Sequence, residues 1–184
     1  KKDYDVVLGL EGLRNVKTLD ELKAMYDLGV RHCSLTWNEE NHLATGVAGS
    51  PERGLTDLGK EFLDFMKEKK MIIDVSHLNV KSFFDVTDYV QENVIASHSN
   101  AWSLCNHRRN LNDEQLKRLA SIGGYVGVVS ARNFVNASDD RKTVAGLVDH
   151  IEYIAKFIGI DHVMLGLDMM DYLGDYSDHN SNLD

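Results

Sequence analysis

The sequence predicts an α/β protein built from right-handed βαβ units, with a parallel sheet that is either open or closed into a barrel. Three observations carry this prediction. Short runs rich in Val, Ile and Leu recur with little polar alternation, as strands buried on both faces require. Amphipathic stretches of helical period separate these runs. The two kinds of segment alternate along the chain, a repetition that leads to parallel pairing through crossover helices.

The elements follow in order. Residues 6–10 (VVLGL) read as the first strand. A helix is expected over 18–28, where Thr18 and Glu21 form a capping box and Leu19, Leu22, Met25 and Tyr26 share one face. The strand 30–36 (VRHCSLT) leads into the polar segment 38–54 (NEENHLATGVAGSPERG), which has no helical period and reads as a long βα loop. Loops of that length in compact domains are often functional, though this one taken alone reads equally well as a surface excursion. The helix 56–69 gathers Leu58, Phe62, Phe65 and Met66. After the strand 71–76 (MIIDVS), the helix 80–91 gathers Val80, Phe83, Phe84, Thr87 and Val90. The strand 93–97 (NVIAS) precedes a helix capped by Asn112, with Leu116 and Leu119 inward. A strand at 125–129 (YVGVV), a long helix at 141–158 and a strand at 163–167 (VMLGL) complete the series. On the long helix, Val144, Leu147, Val148, Ile151, Ile154 and Ile158 form the expected stripe. Six βα units are visible, whereas a full eightfold barrel takes about 250 residues, so 184 residues supply part of one.

Composition narrows the function. The net charge is −9 and the longest basic cluster is His107-Arg108-Arg109, so nucleic acid is not an expected partner. No apolar run reaches the length of a membrane span. Cys33 and Cys105 lie far apart and form no CxxC pattern, which fits neither a disulfide scaffold nor a zinc finger. With no export signal visible, a cytoplasmic location is the expectation.

In parallel α/β folds, functional groups collect where strands end and βα loops begin. Those positions hold Glu11, Trp37, His77, His98, Ser130 and Asp168. A histidine ending one strand is more often a hydrogen-bonded structural residue, and Glu11 or Asp168 alone could cap a turn. Two histidines, a glutamate and an aspartate at one topological level are a different matter. Nitrogen and oxygen donors without a thiolate suit zinc or a related divalent ion. Such an ion lowers the pKa of bound water and polarises a carbonyl, and a nearby carboxylate can shuttle the proton. No nucleophile elbow surrounds Ser76, Ser97 or Ser99. Asp74 lies inside a strand and reads as a structural partner more readily than as a support for a metal ligand. Arg108 and Arg109 read equally as a solvent-facing pair or as a clamp for a carboxylate.

Taken together, several motifs resemble the renal, or membrane, dipeptidase family of zinc peptidases (family M19). They are Glu11-Gly12, the spaced Leu22…Tyr26…Gly29-Val30-Arg31, Ile73-Asp74-Val75-Ser76-His77, Ser97-His98-Ser99-Asn100-Ala101, Arg108-Arg109-Asn110 and Gly166-Leu167-Asp168. The resemblance runs over nearly the whole chain, and the IDVSH and SHSNA…RRN pair is its most specific part. It implies a (β/α)8 barrel of the amidohydrolase type, two zinc ions and hydrolysis of a small dipeptide. By the same resemblance, Glu11 bridges the two metals, His77 and His98 bind the second, Arg109 holds the substrate carboxylate and Asp168 is the acid/base. Bacterial relatives often accept D-residues at the C-terminal position.

Three departures qualify what is implied. The family's first metal also uses a His-x-Asp pair upstream of the bridging glutamate, and the ten residues before Glu11 contain no histidine. The expectation is therefore one barrel domain over 1–184 that lacks N-terminal strands and the C-terminal end, with impaired activity on its own. Where animal members have Leu-Thr-His, this chain has Leu35-Thr36-Trp37, a bacterial-type feature that alters a substrate contact. The aspartate motif reads GLDMMD in place of the commoner GxDFDG, which changes the pocket wall beside Asp168. A homodimer is compatible with this reading. The alternatives are another amidohydrolase-type enzyme, such as a lactonase or deaminase, and a non-catalytic domain that kept the fold. A Schiff-base aldolase is disfavoured because no lysine follows an expected strand.

Overall fold

The computed structural model describes residues 5–169 and Leu183. The chain divides into two compact units, Lys1–Asn93 and Val94–Asp184.

In the first unit, β1 (Leu8–Leu10) pairs in parallel with β2 (Val30–Ser34), and β2 with β3 (Ile72–Asp74). Leu10 stands opposite Cys33, and Ser34 opposite Asp74, so the strand ends come level. Helices α1 (Leu19–Asp27), α2 (Asp57–Glu68) and α3 (Val80–Tyr89) follow the strands in turn. The Thr18 capping box forms as expected: Glu21 N–H donates to Thr18 Oγ1 (3.3 Å) and Thr18 N–H to the Glu21 carboxylate (3.0 Å). Thr56 and Asn79 cap α2 and α3 with the side chain alone, each accepting an N–H that the helix start leaves open. Phe62, Leu63, Met66 and Phe83 are fully buried, and burial of each such side chain contributes about 1.5–3 kcal/mol. Val80 departs from the expected stripe and is exposed. Ser82 takes an inward place on α3 because its hydroxyl accepts the backbone N–H of Thr45 (3.0 Å).

In the second unit, β4 (Val94–Ala96), β5 (Tyr125–Val128) and β6 (Val163–Leu165) pair in parallel in that order. Helix α4 (Asp113–Ser121) carries a second capping box, between Asn112 and Gln115. A short helix α5 (Arg132–Val135), which a single turn leaves without a readable period, precedes α6 (Val144–Ile158). On α6 the inward line is Leu147, His150 and Ile154, whereas Val144 and Val148 are exposed. His150 holds that line because both ring nitrogens are used: Ala101 N–H donates to Nδ1 (3.1 Å), and Nε2–H donates to the Val135 carbonyl (2.8 Å).

All six strands lie within their expected segments but are shorter, with three to five residues each. The apolar run outlasts the ladder. Leu35 and Thr36 remain buried after β2 ends, and so do Val75 and Ser76 after β3. These extensions carry the chain from the sheet into the loops that hold polar groups. Cys33 and Cys105 are free and buried. No described helix is long and apolar enough to cross a membrane.

Candidate metal centre

In the first unit, Glu11 directly follows β1, and His77 lies three residues beyond β3. Gly12 adopts φ +78°, a conformation that favours glycine, and its N–H donates to Ser34 Oγ (2.8 Å). This turn aims Glu11 toward β3. His77 is itself in the left-handed region, at φ +71°, which is uncommon outside glycine and asparagine. The result is that Nε2 of His77 lies 3.0 Å from Oε1 of Glu11. The imidazole is buried, whereas the glutamate side chain is 47% exposed. Two ligands of a tetrahedral zinc ion, each at about 2.0–2.2 Å, stand roughly 3.3–3.6 Å apart. The pair is thus within a few tenths of an ångström of a shared-ion geometry, and its donor types fit zinc.

The other face of the His77 ring is also occupied. Nδ1 donates to Oδ1 of Asn38 (2.9 Å), and the Trp37 ring lies 5.8 Å away, centroid to centroid. Trp37 thereby lies beside the site from the strand end at which the animal family motif has a histidine. A cavity of about 340 Å³, lined by Glu11, Gly12, Arg14, Asn15, Trp37 and Glu39, opens next to the glutamate. Asp74 has structural work: its Oδ1 accepts the N–H of Ser76 (2.9 Å) and its Oδ2 lies 3.1 Å from Nε2 of His32. It therefore shapes the turn that delivers His77.

In the second unit, His98 lies two residues past β4 and is buried. Its Nδ1 is 2.7 Å from the Ser97 hydroxyl, and its carbonyl accepts from Nη2 of Arg109 (3.3 Å). Gly127 and Gly166 both lie against the Ser97 carbonyl, where a Cβ on either would collide. These two glycines let the Ser97 carbonyl, just past β4, approach the backbone of β5 and of the segment that follows β6. The two neighbouring arginines divide: Arg108 is exposed, whereas Arg109 is 4% exposed, with its guanidinium 5.6 Å from the Phe134 ring centre. Burial of this guanidinium removes the solvent-facing reading for Arg109. Asp168, at φ +56° and exposed, lies three residues past β6. Leu167 beside it accepts from both the N–H (3.3 Å) and the hydroxyl (2.7 Å) of Ser130. The last part of the GLDMMD motif, from Met170 onward, lies outside the described residues.

A family model described as membrane dipeptidase (peptidase family M19) matches residues 1–179. The chain belongs to that family. An uncharacterized dipeptidase of Schizosaccharomyces pombe is 40% identical over 169 residues, covering 89% of this chain and 41% of the relative. Among solved structures, a metallo peptidase from Rhodobacter sphaeroides, liganded with a phosphinate mimic of the dipeptide L-Ala-D-Ala, matches with a TM-score of 0.78 and 30% identity. That match covers 88% of this chain and 49% of the other. An amidohydrolase from Pseudomonas aeruginosa matches with a TM-score of 0.78 and 28% identity, over 87% and 49% of the two chains. The M19 chain described here thus spans about half the length of relatives that it matches. It shares their parallel α/β fold of the barrel type, as expected.

Sequence reasoning missed Asn38 and Ser97, the two residues that touch the ring Nδ1 atoms of His77 and His98. Ser97 adjoins its histidine and was within reach of a local reading. Asn38 is 39 residues from His77, and only the fold brings them together.

Proposed function

We propose that this chain carries the metal-binding and substrate-binding strand ends of a zinc-dependent dipeptidase. The observation that carries the reading is the 3.0 Å approach of Glu11 to His77 at the ends of the two parallel strands that flank β2, in a member of the M19 family. In this reading Glu11, His77 and His98 would hold the zinc ions. Bound zinc supplies a water of lowered pKa and polarises the scissile carbonyl. The carboxylate of Asp168 would take a proton from the attacking water as the new C–O bond forms, then give it to the amide nitrogen, whose C–N bond breaks as the amine leaves. The buried guanidinium of Arg109 holds the dipeptide's free carboxylate through paired N–H donors.

The experiment compares hydrolysis of L-Ala-D-Ala, L-Ala-L-Ala and their C-terminal amides by the zinc-loaded protein, with Arg109→Ala and Asp168→Asn beside it. The 184-residue chain and a longer form of the length of its relatives are assayed together. The reading expects free dipeptides to be cleaved and amides to be poor substrates. It expects Arg109→Ala to raise KM, and Asp168→Asn to lower kcat by about 10²–10⁴-fold. Equal cleavage of amides, or indifference to Arg109→Ala, would favour a lactonase- or deaminase-like amidohydrolase instead. No hydrolysis by either zinc-loaded form would favour a domain that kept the fold without the chemistry.

A further inference from the structure

The loop between β2 and α2 holds His77 at several points. Asn38 Oδ1 accepts from Nδ1 of the ring (2.9 Å). Val47 N–H donates to the His77 carbonyl (2.9 Å), and Asn79 N–H donates to the Thr45 carbonyl (2.9 Å). Gly46 and Leu78 form an antiparallel bridge between the same two segments. In return, the Asn79 side-chain amide donates to the carbonyls of Ser50 (2.8 Å) and Arg53 (3.0 Å). The loop is thus laced to the turn that keeps His77 at its left-handed φ. Asn38 is itself fixed, since its carbonyl accepts from Ala48 N–H (2.8 Å) and Gly46 packs on its backbone.

We infer that Asn38 is a positioning residue that sets the tautomer of His77, and that the β2–α2 loop is the clamp through which this chain tunes metal affinity. The inference rests on His77 being a metal ligand. An amide oxygen carries no hydrogen, so the ring must place its N–H on Nδ1 to satisfy it. That leaves Nε2, 3.0 Å from Glu11 Oε1, to give its lone pair to a cation held between the two groups, in place of the hydrogen bond that Nε2–H donates to the carboxylate when no cation is there. A ring without this partner turns and exchanges its proton between the two nitrogens, and each molecule with the proton on Nε2 is unable to bind the ion there.

The test measures zinc affinity by chelator competition for the wild type, Asn38→Leu, Asn38→Asp and His77→Ala, with metal-free thermal unfolding of each. Nitrogen shifts of the His77 ring in the zinc-loaded wild type are recorded beside them. Asn38→Leu is expected to bind zinc about 10–100-fold more weakly. Asn38→Asp, which keeps an acceptor, is expected to stay within a few-fold of wild type. In the wild type the ring proton is expected on Nδ1 and the metal on Nε2. Wild-type affinity in Asn38→Leu, equal losses in Leu and Asp, or a ring proton on Nε2 would each overturn the inference. Unchanged affinity in His77→Ala would instead remove the reading on which it rests. The ring shifts decide the matter in the wild type even where a variant fails to fold.

Discussion

Glu11 Oε1 and His77 Nε2 stand 3.0 Å apart although 66 residues separate them in the chain. The approach is a product of the parallel ladder. β1 and β3 both flank β2, and adjacent strands lie about 4.8 Å apart, so residues just beyond the two strand ends are held within side-chain reach. Gly12 and the positive φ of His77 then turn the two side chains toward each other. A half-exposed carboxylate faces a buried imidazole, so one group is enclosed by the protein and the other is accessible from solution.

The close packing of Gly46 on Asn38 gives a first prediction. A Cβ at residue 46 would lie 2.5 Å from the Asn38 carbonyl carbon and 2.6 Å from its oxygen, both backbone atoms. Gly46→Ala must therefore push the Asn38 backbone aside. We expect a loss of about 1–3 kcal/mol in urea unfolding, the usual cost of overpacking, together with weaker zinc binding. Wild-type values for both would show that the loop has room that its packing denies.

A second prediction concerns acid. Burial holds the His150 pKa below its ordinary 6.5, and the neutral ring already accepts from Ala101 N–H and donates to Val135. Burial acts in the same direction on His107, with the charges of Arg108 and Arg109 adding to it. The unfolded chain therefore takes up these protons first. Stability is fully present above about pH 6.5 and falls as the pH drops from there through the depressed folded values. Unfolding free energies at pH 7.5, 6.5 and 5.5 should decline more steeply in the wild type than in His150→Gln. Each such group contributes at most about 1.4 kcal/mol per pH unit. Identical slopes would contradict the assignment of a buried neutral ring.

Cys33 supplies a third. It is fully buried on β2, and burial pushes its thiol up to about 12. Only the thiolate reacts readily, so a thiol reagent at pH 8 should label Cys33 at the rate of unfolding. The measurement uses Cys105→Ser, which removes the second buried thiol. Rapid labelling of the folded protein would contradict the burial of β2.

The fold was legible because its determinants are local and repeated. Six apolar runs, the Thr18–Glu21 capping box, the Asn112 cap and the alternation of periods each follow from a few neighbouring residues. The positions at the strand ends were legible as candidates, Glu11 and His77 among them, since the topology alone says which residues follow each strand. What escaped the sequence depends on distant pairing. Asn38 reaches His77 across 39 residues, and Asp74 finds His32 across 42. Val144 and Val148 satisfy a helical stripe by spacing, yet His150 claims the inward line through two backbone hydrogen bonds that no periodicity encodes. The separation of Arg108 from Arg109, one exposed and one buried, likewise emerges only once the loop is folded.

The central claim is that Glu11 and His77 are metal ligands, and metal-edge diffraction from zinc-soaked crystals tests it most directly. The account predicts an anomalous peak between Glu11 and His77, at about 2.0–2.2 Å from a Glu11 carboxylate oxygen and from His77 Nε2, with His98 as a further nitrogen ligand. A peak bound elsewhere, or no peak while Glu11 and His77 remain directly hydrogen-bonded, would contradict it.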